Sequence, residues 1–296
     1  MLKVPIMGML KKHMHLLAME HKRHPIRGRA LTLGQQSIYA NLPEVRKILQ
    51  RRGVPMAALP EGFDIKNKIP AWKGTWWDRS TNAQAVLTLM GAKEVVVTDV
   101  SDYEGAELLL NLNDPVSDEN AGQFDVILDI GTLEHVFDVP TALANLVKML
   151  KTGGQIILIL PASNCIDHGF YMFSPTLLFD YFKANGFDSF DCYLLAGPHS
   201  FFIPRKSKVF KYNRVGPEYL LSTHGGVEMA FFATKRESRA VMQKPIQTRY
   251  VTSAYWVKSG VNMVAEGSFF DRYKKIFRKV REILNRNENL TYQGKF

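Results

Sequence analysis

Three groups able to move or hold a proton stand within five consecutive residues: Asp167, His168 and Tyr171. An imidazole titrates near neutrality, so His168 is the preferred general base, with Asp167 beside it and Tyr171 as an orienting hydroxyl. The competing reading is that residues 168–170 only turn a loop corner. A second imidazole, His135, follows Glu134. It could act as a base, with Glu134 orienting it or locking a helix start, or it could simply pack a loop. Asp99 follows an expected strand at residues 94–98, where a carboxylate can accept from two neighbouring hydroxyls or cap the next turn. Gly34 ends the run 30–33 and is followed by Gln35 and Gln36. A residue without a side chain lets a ligand approach the backbone closely.

The elements that carry these groups follow from periodicity. Residues 124–130 form a short, nearly continuous apolar run, broken only by Asp125 and Asp129 and ending in Gly131-Thr132, which reads as a strand buried on both faces. Residues 141–150 place Leu143, Leu146, Val147 and Leu150 at helical spacing, with Gly153-Gly154 as the stop. Residues 156–160 read as a second buried strand closed by Pro161. Strand, helix and strand make a βαβ unit with parallel strands and a right-handed crossover. Further helices are expected at 42–50, 82–90 and 177–185, with Ser174-Pro175 opening the last. Further strands are expected at 94–98, 108–110, 188–196 and 226–234.

The wording of residues 123–161, with "FDVILDIGTLEHVF" and "LKTGGQIILILP", resembles the fourth strand, fourth helix and fifth strand of class I S-adenosylmethionine-dependent methyltransferases. More thinly, the likeness extends over residues 28–235. It implies an α/β fold, a Rossmann-like seven-stranded sheet of order 3-2-1-4-5-7-6 with helices on both faces. The last strand would be antiparallel. It also implies S-adenosyl-L-methionine as cofactor and S-adenosyl-L-homocysteine as product. On that likeness the cofactor would meet Gly34, Gln35 and Gln36 after the first strand. It would meet Asp99 and Val100 after the second, Asn111, Leu112 and Asn113 after the third, and Asp129, Ile130 and Gly131 after the fourth. The family's loop after its first strand carries two or three glycines. Here only Gly34 remains, so the glutamine amides would have to serve in their place.

Two insertions interrupt this frame. Residues 54–79 hold Trp72, Trp76 and Trp77, which suit a substrate-stacking wall or a lid, or else pin the loop to the core. Residues 197–224 are basic and aromatic, and Arg205 there suggests a phosphorylated or nucleotide- or sugar-linked acceptor. The domain is expected at 27–238, between an N-terminal helical extension (1–26) and a C-terminal one (239–296). The second extension carries an amphipathic helix at 268–284, whose apolar face would cover the domain, a second subunit or a membrane surface. His13, His15, His21 and His24 lack the companions of a metal-ligand pattern and are expected in solvent, so no metal site is expected.

The chain of 296 residues carries a net charge of +10, gathered at both ends. No apolar run is long enough to span a membrane and no signal peptide is expected. Two cysteines cannot make a disulfide framework, which fits the cytoplasm. The resemblance implies a methyltransferase acting on a small molecule, with oxygen the favoured acceptor atom and nucleic acid disfavoured. The terminal helices offer a route to a homo-oligomer. The alternative is a non-catalytic binding or assembly protein on a degenerate methyltransferase scaffold. Gln35 and Gln36 favour it, and Asp99, Gly131 and Asp167-His168 oppose it.

Overall fold

The computed structural model describes residues 8–66, 80–197, 207–214, 223, 225–239, 241–248 and 290–295. The expected tryptophan loop (Trp72, Trp76, Trp77), Arg205 and the amphipathic helix at 268–284 lie outside these residues. Among the described residues no helix is long and apolar enough to cross a membrane.

One sheet organises the chain. Its strands are β1 (Gly28–Leu33), β2 (Ala92–Asp99), β3 (Leu108–Leu109), β4 (Phe124–Ile130), β5 (Leu150–Ser163), β6 (Phe187–Ala196), β7 (Lys208–Tyr212), β8 (Val227–Lys235) and β9 (Leu290–Lys295). They lie in the order β3-β2-β1-β4-β5-β8-β6-β7-β9. The first seven positions reproduce the expected 3-2-1-4-5-7-6 pattern, with β8 as the antiparallel strand between β5 and β6. β7 and β9 extend the far edge by two antiparallel strands that the sequence reading did not anticipate.

Successive residues of the central strands feed opposite faces, as the two-residue period demands. Ile127, Ile156, Leu158 and Phe231 enter one core with α4 (Val139–Met149) and α5 (Pro175–Ala184). Val126, Leu128, Ile157, Ile159 and Phe232 enter the other with α1 (Lys11–Glu20), α2 (Leu42–Arg51) and α3 (Ala83–Met90). Helix ends follow local chemistry. Asn41 and Glu44 form a capping box at α2, and Asn82 and Ser174 cap α3 and α5. Gly91 takes the left-handed conformation that stops α3.

Two expected boundaries move. α4 stops at Met149, so Gly153-Gly154 is not its terminator. The glycines belong to an irregular start of β5, where pairing jumps from Phe124↔Leu150 to Val126↔Gln155. Pro161 does not close β5, which runs on to Ser163. Beyond Ile159 the β4 neighbour has ended, so the missing N–H of proline leaves no ladder bond unmade on that side.

The expectation of solvated histidines near the N-terminus also fails at His13 and His24, both buried. The segment around α1 lies across the antiparallel half of the sheet, held by polar groups that the apolar strands β6 and β8 carry. His13 Nε2 lies 2.9 Å from Glu228 Oε2, and Lys12 pairs with the same carboxylate. The Tyr193 hydroxyl donates to Glu20 at 2.6 Å, and His24 Nε2 lies 2.9 Å from Asp191. Burial pushes the His13 imidazole below its ordinary pKa despite Glu228, while Lys12 and His13 hold Glu228 below the carboxylate range.

Both shifts act in one direction. A lowered His13 pKa means that the unfolded chain takes up a proton first as pH falls below about 6.5, and Glu228 adds to this below about 4.3. Thermal stability is therefore expected to fall as pH drops below 6.5. Melting curves of His13→Gln should show a shallower slope between that pH and 5, and an unchanged slope would remove His13 from the account.

Candidate active site

Two cavities open side by side beyond the carboxyl ends of the parallel strands, where ligands of such sheets bind. The first encloses about 450 Å³ and the second about 340 Å³. Gly8, Ile130 and Gly131 line both.

The wall between them is built by the turn after β4. Asp129, expected to face a cofactor, is instead fully buried and lines neither cavity. Its carboxylate accepts from the N–H groups of Thr132 (2.9 Å) and Leu133 (3.2 Å) and so shapes the turn. Burial, reinforced by the neighbouring Glu134 charge, pushes the Asp129 pKa up to about 8 against these donors. Gly131, at φ +86°, carries the chain through the left-handed region, and a Cβ there would sit 3.1 Å from Glu134 Oε1. The Thr132 hydroxyl donates to Leu33 O at 2.8 Å, which ties the turn to the end of β1. A short 3₁₀ turn, Leu133–His135, then presents Glu134 to the second cavity and His135 to the first.

The first cavity gathers nearly every residue that the resemblance assigned to a cofactor. Gly34, Gln35, Gln36, Asp99, Val100, Asn111, Leu112, Asn113, Ile130 and Gly131 all line it. The glutamines, however, direct their amide N–H groups at the protein. Gln36 donates to Leu33 O at 2.6 Å, and Gln35 and Gln84 exchange donors at 3.3 and 3.2 Å. They thereby brace the turn that glycines usually leave bare. Asp99 Oδ1 accepts from Val100 N–H at 2.6 Å, so the residue caps its own turn as well as lining the cavity. Glu104 lies beside it, its pKa raised by burial and by the Asp99 charge. A nucleoside with an amino-acid tail fits this set. Asp99 is an acceptor for ribose hydroxyls, and Val100, Leu110 and Leu112 are flat apolar partners for a base. Backbone at Gly34 (φ +71°) and Gly131 lies open to close approach.

The second cavity is framed by the loop after β5. Phe170 N–H donates to Glu134 O at 2.8 Å, and Gly169 passes so close that a Cβ would lie 2.7 Å from that same oxygen. The loop thus brings His168 Nε2 to 3.2 Å from Glu134 Oε1. This hydrogen bond raises the His168 pKa above its ordinary value, with burial opposing. Asp167 lines the cavity, yet the recorded partner of His168 is Glu134. The Tyr171 hydroxyl donates to Phe137 O at 2.9 Å and therefore orients the loop rather than His168. Sequence reading missed His13 and Glu228 on the opposite wall. The available signal was Glu228 itself, the only charge in the run 227–234.

Residues 82–158 match the model of a methyltransferase domain family. No curated protein matches the chain significantly. Among solved structures, the chain is similar to a methyltransferase of Thermotoga maritima described as a possible histamine N-methyltransferase. The two share 16% identity, with 75% of this chain and 89% of that chain covered and a TM-score of 0.37. It is also similar to the YcgJ protein of Bacillus subtilis (11% identity, 77% and 100% covered, TM-score 0.36). A methyltransferase of Archaeoglobus fulgidus aligns at 11% identity, with 75% and 94% covered and a TM-score of 0.37. The matched segment runs from α3 into β5, and the first seven positions of the sheet follow the 3-2-1-4-5-7-6 order that the resemblance implies.

Asp99→Ala is expected to weaken S-adenosylhomocysteine binding by roughly 10- to 100-fold, since a hydrogen bond to a charged group contributes about 1.5–3 kcal/mol. Titration calorimetry reads this directly, and an unchanged affinity would take Asp99 out of the cofactor site.

Proposed function

We propose that the chain transfers a methyl group from S-adenosylmethionine to a hydroxyl of a small molecule seated in the second cavity. The observation that carries this reading is the junction at Gly8, Ile130 and Gly131, where the two cavities share a wall. S-adenosylmethionine supplies an electrophilic methyl on a sulfonium: the acceptor O–C bond forms as the S–C bond breaks, the electron pair returns to sulfur, and the hydroxyl proton leaves. The protein's part is alignment and control of that proton.

In this reading Gly34, Gln35, Gln36, Asp99, Val100, Asn111, Leu112, Asn113, Ile130 and Gly131 hold the cofactor, and Asp129 shapes the turn beneath it. The His168–Glu134 pair acts on the acceptor hydroxyl. Asp167 contributes charge to the same cavity, Tyr171 steadies the loop, and His135 stands between the two ligands. Among the described residues no Lys or Arg lines the second cavity, whereas Glu134, Asp167 and Glu228 do. This favours an uncharged or cationic acceptor. A phosphorylated or nucleotide-linked one, drawing on Arg205, relies on residues outside those described. Two free cysteines, Cys165 and Cys192, support a place in the cytoplasm.

The test is methyl transfer from labelled S-adenosylmethionine to a panel of hydroxylated small molecules. With an acceptor found, His168→Asn is expected to lower kcat by roughly 10²- to 10⁴-fold, the range that a positioned proton-handling group contributes. S-adenosylhomocysteine affinity should stay unchanged. A folded wild-type protein that binds neither cofactor nor product would instead support the non-catalytic scaffold.

A further inference from the structure

Glu134, His135 and His168 converge beside the shared wall, and one ligand atom from each lies within 4.8 Å of the others. The His135 and His168 ring centroids are 5.2 Å apart and tilted by 59°, so both rings approach one point without stacking on each other. Glu134 is 1% exposed. Its Oε1 meets His168, but its Oε2 is buried with no hydrogen-bond partner. A buried acceptor left unpaired costs on the order of 1–3 kcal/mol, and more when charged, so this atom needs a partner. The surroundings call for a positive one. Glu134 and Asp167 line the second cavity with no Lys or Arg beside them in its described lining, whereas the third carboxylate there, Glu228, already pairs with Lys12.

A second cluster, Glu20, His24 and Asp191, offers a useful contrast. There Arg23 and Lys211 pair with Asp191, and the Tyr193 hydroxyl donates to Glu20. Those carboxylates are already answered by protein groups. Glu134 Oε2 is not.

We propose that Glu134, His135 and His168 bind a divalent transition-metal ion whose open positions take the hydroxyl of the acceptor. Two imidazoles and one carboxylate are a donor set for zinc and its neighbours, and three protein ligands leave room for a water or substrate oxygen. Such an ion lowers the pKa of a bound O–H. With the ion bound, His168 acts on the hydroxyl as a ligand of that ion rather than as its base: the hydroxyl proton leaves to solvent through the second cavity, the oxygen attacks the methyl carbon, and the electron pair of the S–C bond returns to sulfur. No oxidation state changes. The acceptor class is therefore a hydroxylated molecule, best with a second oxygen adjacent to complete the coordination. This use of the ion rests on the proposed methyl transfer, whereas its binding does not.

Purified full-length protein stripped with chelator and titrated with cobalt(II) tests the site, because cobalt reports its ligand field in visible absorption and zinc should displace it. The expected result is one ion per chain with low-symmetry absorption. Glu134→Gln and His168→Asn should each lose more affinity than the roughly 10- to 100-fold that removing an outer-shell partner costs. His135→Asn, at an exposed position, guards against a variant that fails to fold, and S-adenosylhomocysteine calorimetry in parallel verifies each variant's fold. No stoichiometric cobalt binding in a protein that binds S-adenosylhomocysteine would overturn the metal site and leave the methyltransferase reading standing. Binding that survives all three substitutions would place the ion elsewhere and equally overturn the proposal. Cobalt binding without methyl transfer would keep the site and remove only the acceptor's role.

Discussion

The geometry of both cavities depends on one buried carboxylate. Asp129 receives two backbone N–H groups from the turn after β4, and that turn carries Gly131, Thr132, Glu134 and His135. Thr132 fastens the turn to β1, and Glu134 O receives Phe170 N–H from the loop after β5. One acidic side chain near the end of β4 thus aligns the ends of β1, β4 and β5. Its environment is costly, since burial and Glu134 push its pKa up to about 8. That cost is tolerable because the two donated N–H groups would otherwise be buried and unpaired.

The antiparallel half of the sheet contributes in a different way. β8 places Glu228 in the second cavity and opposite α1, so Lys12 and His13 close that end of the site. The N-terminal segment continues this role through Gly8, which lines both cavities, and through Met9 N–H, which donates to Ser37 O at 2.7 Å. What looked like an appendage is packed against the core and completes the wall of the second cavity.

Most elements were legible from short-range signals. The run 124–130 matches β4 residue for residue, and Asn82, Ser174-Pro175 and Gly91 mark helix ends by chemistry that acts over three or four residues. Gly153-Gly154 and Pro161 misled because their usual meaning assumes an isolated segment. In the sheet, a neighbour that ends early makes a proline harmless, and an irregular pairing absorbs two glycines. The lining of the first cavity was legible too, because its residues follow successive parallel strands and the strand order brings those ends together.

By itself, then, the sequence determined which stretches become strands and helices, their two-faced burial and the list of residues at the strand ends, because each is written in local periodicity and capping. Tertiary structure alone decided the partners. His168 meets Glu134, 34 residues away, and His13 meets Glu228 across 215. Gln35 turns to Gln84, and Asp129 turns inward to its own loop. Such pairings depend on which surfaces the folded core brings together, and no spacing along the chain encodes that distance.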